Sequence, residues 1–314
     1  MSETSNYDPG AWKGYDFDAA RKTYDVHVGR SYNAAKADNK RATDLVPDVI
    51  KTDSPSPLVI LCDVTGSMGD WPATIFSKLP YLDNECKEYL GDEMEVSFAA
   101  TGDVNDSYPL QVRGFSKGRE LEAQLKELII EGGGSGPDWA HESYELAALY
   151  YANNVEMPKA KNPILIFIGD EYFHQNINKT MAKFAKVDIK DEMTAKKAFQ
   201  NLKEKFAVYL IRKPYDNHDK AITKQWADVL GEDHIAELPS PDRVVDVIFG
   251  ILAKETNKVN YFKAEIEERQ RKDQVDTVYK SLKTIHSLSE NNEDKSKSVF
   301  HKSISGTKTK RLLP

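Results

Sequence analysis

Asp63, Thr65 and Ser67 stand at alternate positions in residues 58–68, LVILCDVTGSM, with Gly66 between the two hydroxyl residues. In a tight turn three such side chains can bring their oxygens to one point, which suits a hard divalent cation. Mg²⁺ takes about six oxygen ligands in near-octahedral geometry at about 2.0–2.1 Å and usually keeps some water. One carboxylate and two hydroxyls therefore make half a site and leave positions open. A second acid, Asp170, follows the apolar run at 164–168 in Gly169-Asp170-Glu171. Between them, residues 131–137 read EGGGSGP. Four glycines in five positions predict a loop whose backbone takes positive φ or approaches something closely. That loop lacks the Lys-Ser/Thr that ends a phosphate-binding loop.

Two buried strands must carry these acids. Residues 58–62 are five consecutive apolar residues after Pro55 and Pro57, and 164–168, ILIFI, follow Asn162-Pro163. Short unbroken apolar runs of this kind suit strands covered on both faces. Further strands are predicted at 94–101, 110–115, 206–211 and 234–238; the second of these is an antiparallel edge, because the turn before it is too short for a crossover helix. Asp70-Trp71-Pro72 predicts a helix start, Pro80 a kink or split in the helix that follows, and further helices are expected near 121–129, 138–152, 177–187, 191–204, around Trp226 and at 241–254. Strands alternating with helices point to an α/β fold: a doubly wound, mostly parallel six-stranded sheet with one antiparallel edge strand and helices on both faces. Ligand sites in such sheets lie just outside the carboxyl ends of the strands. Asp103, after the second strand, is expected on the same edge, as a turn residue or in a metal's shell. Glu171 and His174 are expected on the exposed loop above it.

Composition narrows the classes. The chain has 314 residues and a formal charge of −7, which argues against affinity gained by neutralising phosphates. Its two cysteines, Cys62 in the buried strand and Cys86 on a helix face, suit a reduced, cytoplasmic protein without a disulfide framework. No apolar segment approaches the ~20 residues of a membrane span. Four regions are expected: an aromatic, helical extension at 1–50 packing on the core, a main domain at 55–255, a helical extension at 256–290 and a disordered basic tail at 291–314.

The Asp-Val-Thr-Gly-Ser-Met segment after an apolar strand resembles the first metal-site element of von Willebrand factor A (vWA) domains, the Asp-x-Ser-x-Ser of the metal-ion-dependent adhesion site (MIDAS), with Thr65 in place of the first serine. The glycine-rich loop and the strand-end Asp170 follow in that family's order. The resemblance covers roughly residues 55–255. It implies a vWA/Rossmann-like fold and an Mg²⁺ or Mn²⁺ site built from Asp63, Thr65, Ser67, a second-loop hydroxyl and Asp170. For the second-loop ligand Ser135 matches best, with Asp138 and Glu142 as rivals. It further implies a non-enzymatic intracellular adaptor or assembly factor, whose partner's Asp or Glu completes the metal shell, and which works beside an AAA+ ATPase of the MoxR type. The same segment is also similar to the phosphorylated Asp-Lys-Thr-Gly-Thr of P-type ATPases, among the haloacid-dehalogenase-like phosphotransferases. That reading makes Asp63 a nucleophile and Asp170 the Mg²⁺ acid, but Val64 stands where the lysine belongs. A third reading, an RNA-associated particle protein on the same fold, predicts nucleic acid that co-purifies at low salt.

Overall fold

The computed structural model describes residues 40–69, 71–79, 82–130, 141–214 and 218–285. One sheet is built from β1 (Pro57–Asp63), β2 (Glu95–Thr101), β3 (Leu110–Val112), β4 (Ile164–Gly169), β5 (Ala207–Arg212) and β6 (Ile235–Glu237). Their spatial order is β6-β5-β4-β1-β2-β3. Neighbours run parallel except β2 and β3, which are antiparallel. The protein is thus α/β with a mostly parallel, mixed sheet, as the alternation of apolar runs predicts. β3 is shorter than the 110–115 expected: its ladder stops at Val112, and Ser116 makes a separate bridge to Val96.

Alternation along the strands sorts side chains to two faces. Leu58, Ile60 and Cys62 of β1 pack in one core with the helices α1 (Trp71–Lys78), α2 (Leu82–Leu90) and α3 (Glu120–Lys126). Val59 and Leu61 pack in the other, with α4 (Tyr144–Asn153), α5 (Lys179–Phe184), α6 (Ala195–Lys203) and α7 (Asp219–Leu230). Every residue of β1 and β4 is buried, which accounts for their unbroken apolar sequences. The helix α8 (Val244–Glu255) joins the first core. So do α9 (Val259–Arg269) and α10 (Lys272–Leu282), through Phe262, Ile266, Val275, Val278 and Leu282.

Helix starts depart from expectation where hydrogen bonds of the preceding residue outweigh periodicity. The helix expected from 138 begins at Tyr144, and His141–Glu142 instead pairs in parallel with Tyr172–Phe173. Ser143 ties this segment down: its N–H donates to Gly102 O at 2.9 Å and its Oγ accepts from Val104 N at 2.9 Å. α5 starts after Asn178, whose side chain accepts from Thr180 N and Met181 N, and α6 after Thr194, whose hydroxyl accepts from Lys197 N. The N-terminal extension to residue 39, Asp70, Pro80, Ser135, Asp138 and the tail at 291–314 lie outside the described residues. Among those described, no helix is long and apolar enough to cross a membrane, and Cys62 and Cys86 are both buried and form no disulfide.

Candidate functional site

The sheet register sets the geometry. β1 and β4 pair from Leu58–Ile164 to Cys62–Ile168, so Asp63 follows the last paired residue of one strand and Asp170 comes two residues after that of its neighbour. Both side chains are fully buried at the carboxyl edge. Past Asp63 the chain makes an Asx turn, with Thr65 N donating to Asp63 Oδ1 at 2.9 Å. Thr65 Oγ1 donates to the same oxygen at 2.7 Å and lies 3.4 Å from Ser67 Oγ. Ser67 Oγ then donates to Asp170 Oδ1 at 3.0 Å. Asp63, Thr65, Ser67 and Asp170 thus form one run of side chains: Thr65 bonds Asp63, Ser67 bonds Asp170, and the two hydroxyl oxygens stand 3.4 Å apart.

Three further residues complete this surrounding: Tyr144 and Lys213, which the local sequence does not single out, and Glu171. Tyr144 Oη, at the start of α4, donates to Asp63 Oδ2 at 2.6 Å. It reaches that oxygen by passing over Gly169, where a Cβ would lie 1.9 Å from the phenol oxygen. Lys213, the first residue after β5, donates from Nζ to Asp170 Oδ2 at 3.0 Å and to the backbone carbonyl of Ser67. Glu171, expected on an exposed loop, is instead 4% exposed. The indole of Trp226 donates to its carbonyl at 3.0 Å and holds the segment down. A strand-end acid pair was the only available signal for Glu171. Tyr144 and Lys213 have none, because their roles depend on which strands are neighbours.

The acids crowd one another. Burial raises Asp63 to about 7, helped by the charge of Asp170 and opposed by the bonds from Tyr144 and Thr65. Burial also raises Asp170, although Lys213 and Ser67 pull it back. Glu171 goes to about 8 through burial and the charges of Asp63 and Asp170, with bonds to Ser67 and Glu142 opposing. Glu142 is pushed well above the usual range by burial, then by Asp63 and Glu171, and its Oε2 has no hydrogen-bond partner. A second knot lies beside these acids. Asp103 accepts from Asn105 Nδ2 at 2.6 Å and, through Oδ1, from His174 Nε2 at 2.5 Å. Burial raises Asp103, but these bonds outweigh it and leave the acid below its ordinary value. Asp103 thus serves turn chemistry and binds His174, whose side chain is mostly covered; hydrogen bonds join it to His174 and Ser143 and not to the Asp63–Asp170 run.

The donor set fits a hard cation. Thr65 and Ser67 point their protons at carboxylates, which leaves their oxygen lone pairs for a metal, and carboxylates raised by burial are stabilised by added positive charge. The set holds two carboxylates and two hydroxyls; among the described residues no three His, Cys, Asp or Glu side chains are arranged to hold a metal. Ser135 and Asp138 lie outside the described residues, and Glu142 sits on the short strand at His141–Glu142 with no direct bond to the run. A cavity of about 630 Å³ beside β6, lined by residues that include Lys220, Ile235 and Thr284, shares no residue with this site.

No protein-family model matches the chain, and no curated protein matches it. Two crystal structures of the pilus adhesin SpaC from Lactobacillus rhamnosus GG, one in an open conformation, are similar to it at 10% identity and a TM-score of 0.44, over 70% of this chain. The chain spans about a third of the length of those structures, 31% of one and 32% of the other.

Proposed function

We propose that this protein is a vWA-like, cation-dependent protein-binding module whose ion is held by Asp63, Thr65, Ser67 and Asp170. The observation that carries the reading is the continuous run from Asp63 through Thr65 and Ser67 to Asp170 at the carboxyl edge of two adjacent parallel strands. Bound there, Mg²⁺ or Mn²⁺ supplies an electrophilic position for an anionic oxygen. The chain's residues do the rest. Thr65 and Ser67 present hydroxyl oxygens, Asp170 one carboxylate, and Tyr144 fixes Asp63 so that the turn keeps its shape. A carboxylate from a partner's Asp or Glu fills the remaining position, in keeping with an intracellular adaptor or assembly factor; a MoxR-type AAA+ ATPase is the partner class that the resemblance suggests.

Against the phosphotransferase alternative stands Val64, which occupies the place of that motif's lysine and is fully buried.

The test is a Mn²⁺ titration of the full chain, with free ion read by electron paramagnetic resonance, alongside Thr65→Val and Ser67→Ala. Saturable binding near one ion per chain is expected, weakened at least tenfold in each variant and strengthened by added acetate as a carboxylate probe. Equal binding in wild type and both variants would remove the reading.

A further inference from the structure

We propose that Lys213 is the site's own cation, bridging Asp170 and the Ser67 turn in the absence of a divalent ion and competing with that ion for the same groups. The inference rests on the cation site proposed above and concerns its regulation. Lys213 is placed by backbone structure: its N–H donates to Gly169 O at 2.9 Å, which extends the β4–β5 ladder one step beyond Arg212. From there its side chain crosses the end of β4. Nζ bonds Asp170 Oδ2 at 3.0 Å and the Ser67 carbonyl, so one ammonium joins the two segments that provide the candidate ligands. Only 16% of the side chain is exposed and Asp170 is fully covered. This is no solvated surface pair of the kind that contributes little.

The surrounding charge explains why a cation sits there. Asp63, Asp170, Glu171 and Glu142 are four acids buried at this edge of the sheet. Arg212 is the other basic group acting on Asp170, and its guanidinium is already bound to Asp219 at 2.8 Å and Glu237 at 3.4 Å. Among the described residues, Lys213 is therefore the basic group bonded to Asp170 at this edge. A divalent ion on Asp170 would stand a few ångströms from the ammonium, and in a covered site like charges that close repel strongly. The flexible four-carbon stem of lysine lets Nζ leave without moving the backbone. The site would then exchange one cation for the other, and the Ser67 turn would stay ordered in both states.

The experiment is the same Mn²⁺ titration applied to wild type, Lys213→Met, Lys213→Gln and Lys213→Arg, with circular dichroism to establish folding; Lys213→Gln serves if the Met variant does not fold. Removing the charge is expected to tighten Mn²⁺ binding at least tenfold, and Lys213→Arg to keep it within about threefold of wild type. Binding that appears only in the neutral variants also supports the inference, because Lys213 then fills the site completely. Wild-type binding that is lost in Ser67→Ala but unchanged or weaker in the neutral variants overturns the role of Lys213 and leaves the cation site standing. Silence in wild type and in the neutral variants alike overturns both.

Discussion

Gly169 matters for the side chain it lacks. The Tyr144 phenol occupies the space a Cβ would take and donates from there to Asp63. Gly169→Ala is expected to destabilise the fold by about 3 kcal/mol in urea unfolding, because neither the strand nor the ring, wedged against Phe167 and Trp226, has room to move. A loss below about 0.5 kcal/mol would mean that the ring relocates freely. At this scale the sequence is legible only in part. The alternate spacing of Asp63, Thr65 and Ser67 is an oxygen cluster on its face. Nothing near Tyr144 or Lys213 in sequence marks either as a neighbour of an acid 81 or 43 residues away.

At the scale of elements, α4 is the least ordinary helix. Residues 144–152 are all buried, and they include Glu145 in the first turn. Its Oε2 accepts from His174 N at 3.2 Å while Oε1 has no partner. Burial raises its pKa to about 8; nearby His174 lowers it and Asp103 raises it. The native state therefore keeps a proton that the unfolded chain, titrating near 4.5, has lost. Native stability should fall as pH rises from about 4.5 to about 8 and level off above that. Glu145→Gln removes the dependence: it should be nearly neutral at pH 4.5 and stabilising by about 4.5 kcal/mol at pH 8.5. Parallel pH–stability curves for wild type and variant would refute this. The helix itself is legible from its apolar run, but its start at Tyr144 is decided by the bonds of Ser143 to Gly102 and Val104, across a distance in sequence that no local pattern spans.

Across the whole molecule, the two helices beyond the sheet belong to its core. Leu282 of α10 presses on Gly250 of α8, where a Cβ would meet Leu282 Cδ1 at 2.2 Å. Thr284 donates to the Ile235 carbonyl of edge strand β6. Such an arrangement covers part of an edge that would otherwise offer free hydrogen-bonding groups. Leu282→Ala should cost about 3 kcal/mol and leave a single unfolding transition, since the cavity would open inside the core shared with β1 and β4. Two separated transitions in urea would instead mark the C-terminal helices as an independent unit. Short three-four patterns at 259–285 predict helices without showing what they cover.

What the sequence by itself determined is the kind of molecule: apolar runs of strand length alternating with helical periodicity require a covered, mostly parallel sheet, and Asp63 and Asp170 at the ends of two such runs belong at its carboxyl edge. These are local signals, carried by period and by residue type. What only the tertiary structure decided is the company those acids keep. Strand order set β1 beside β4 and β4 beside β5, which brought Ser67 to Asp170 and Lys213 to both. Packing across the sheet brought Tyr144 over Gly169 and covered Glu171. Burial then changed the acids themselves, because the charged state of a carboxylate depends on the solvent and charges around it, and these are set by the folded surroundings.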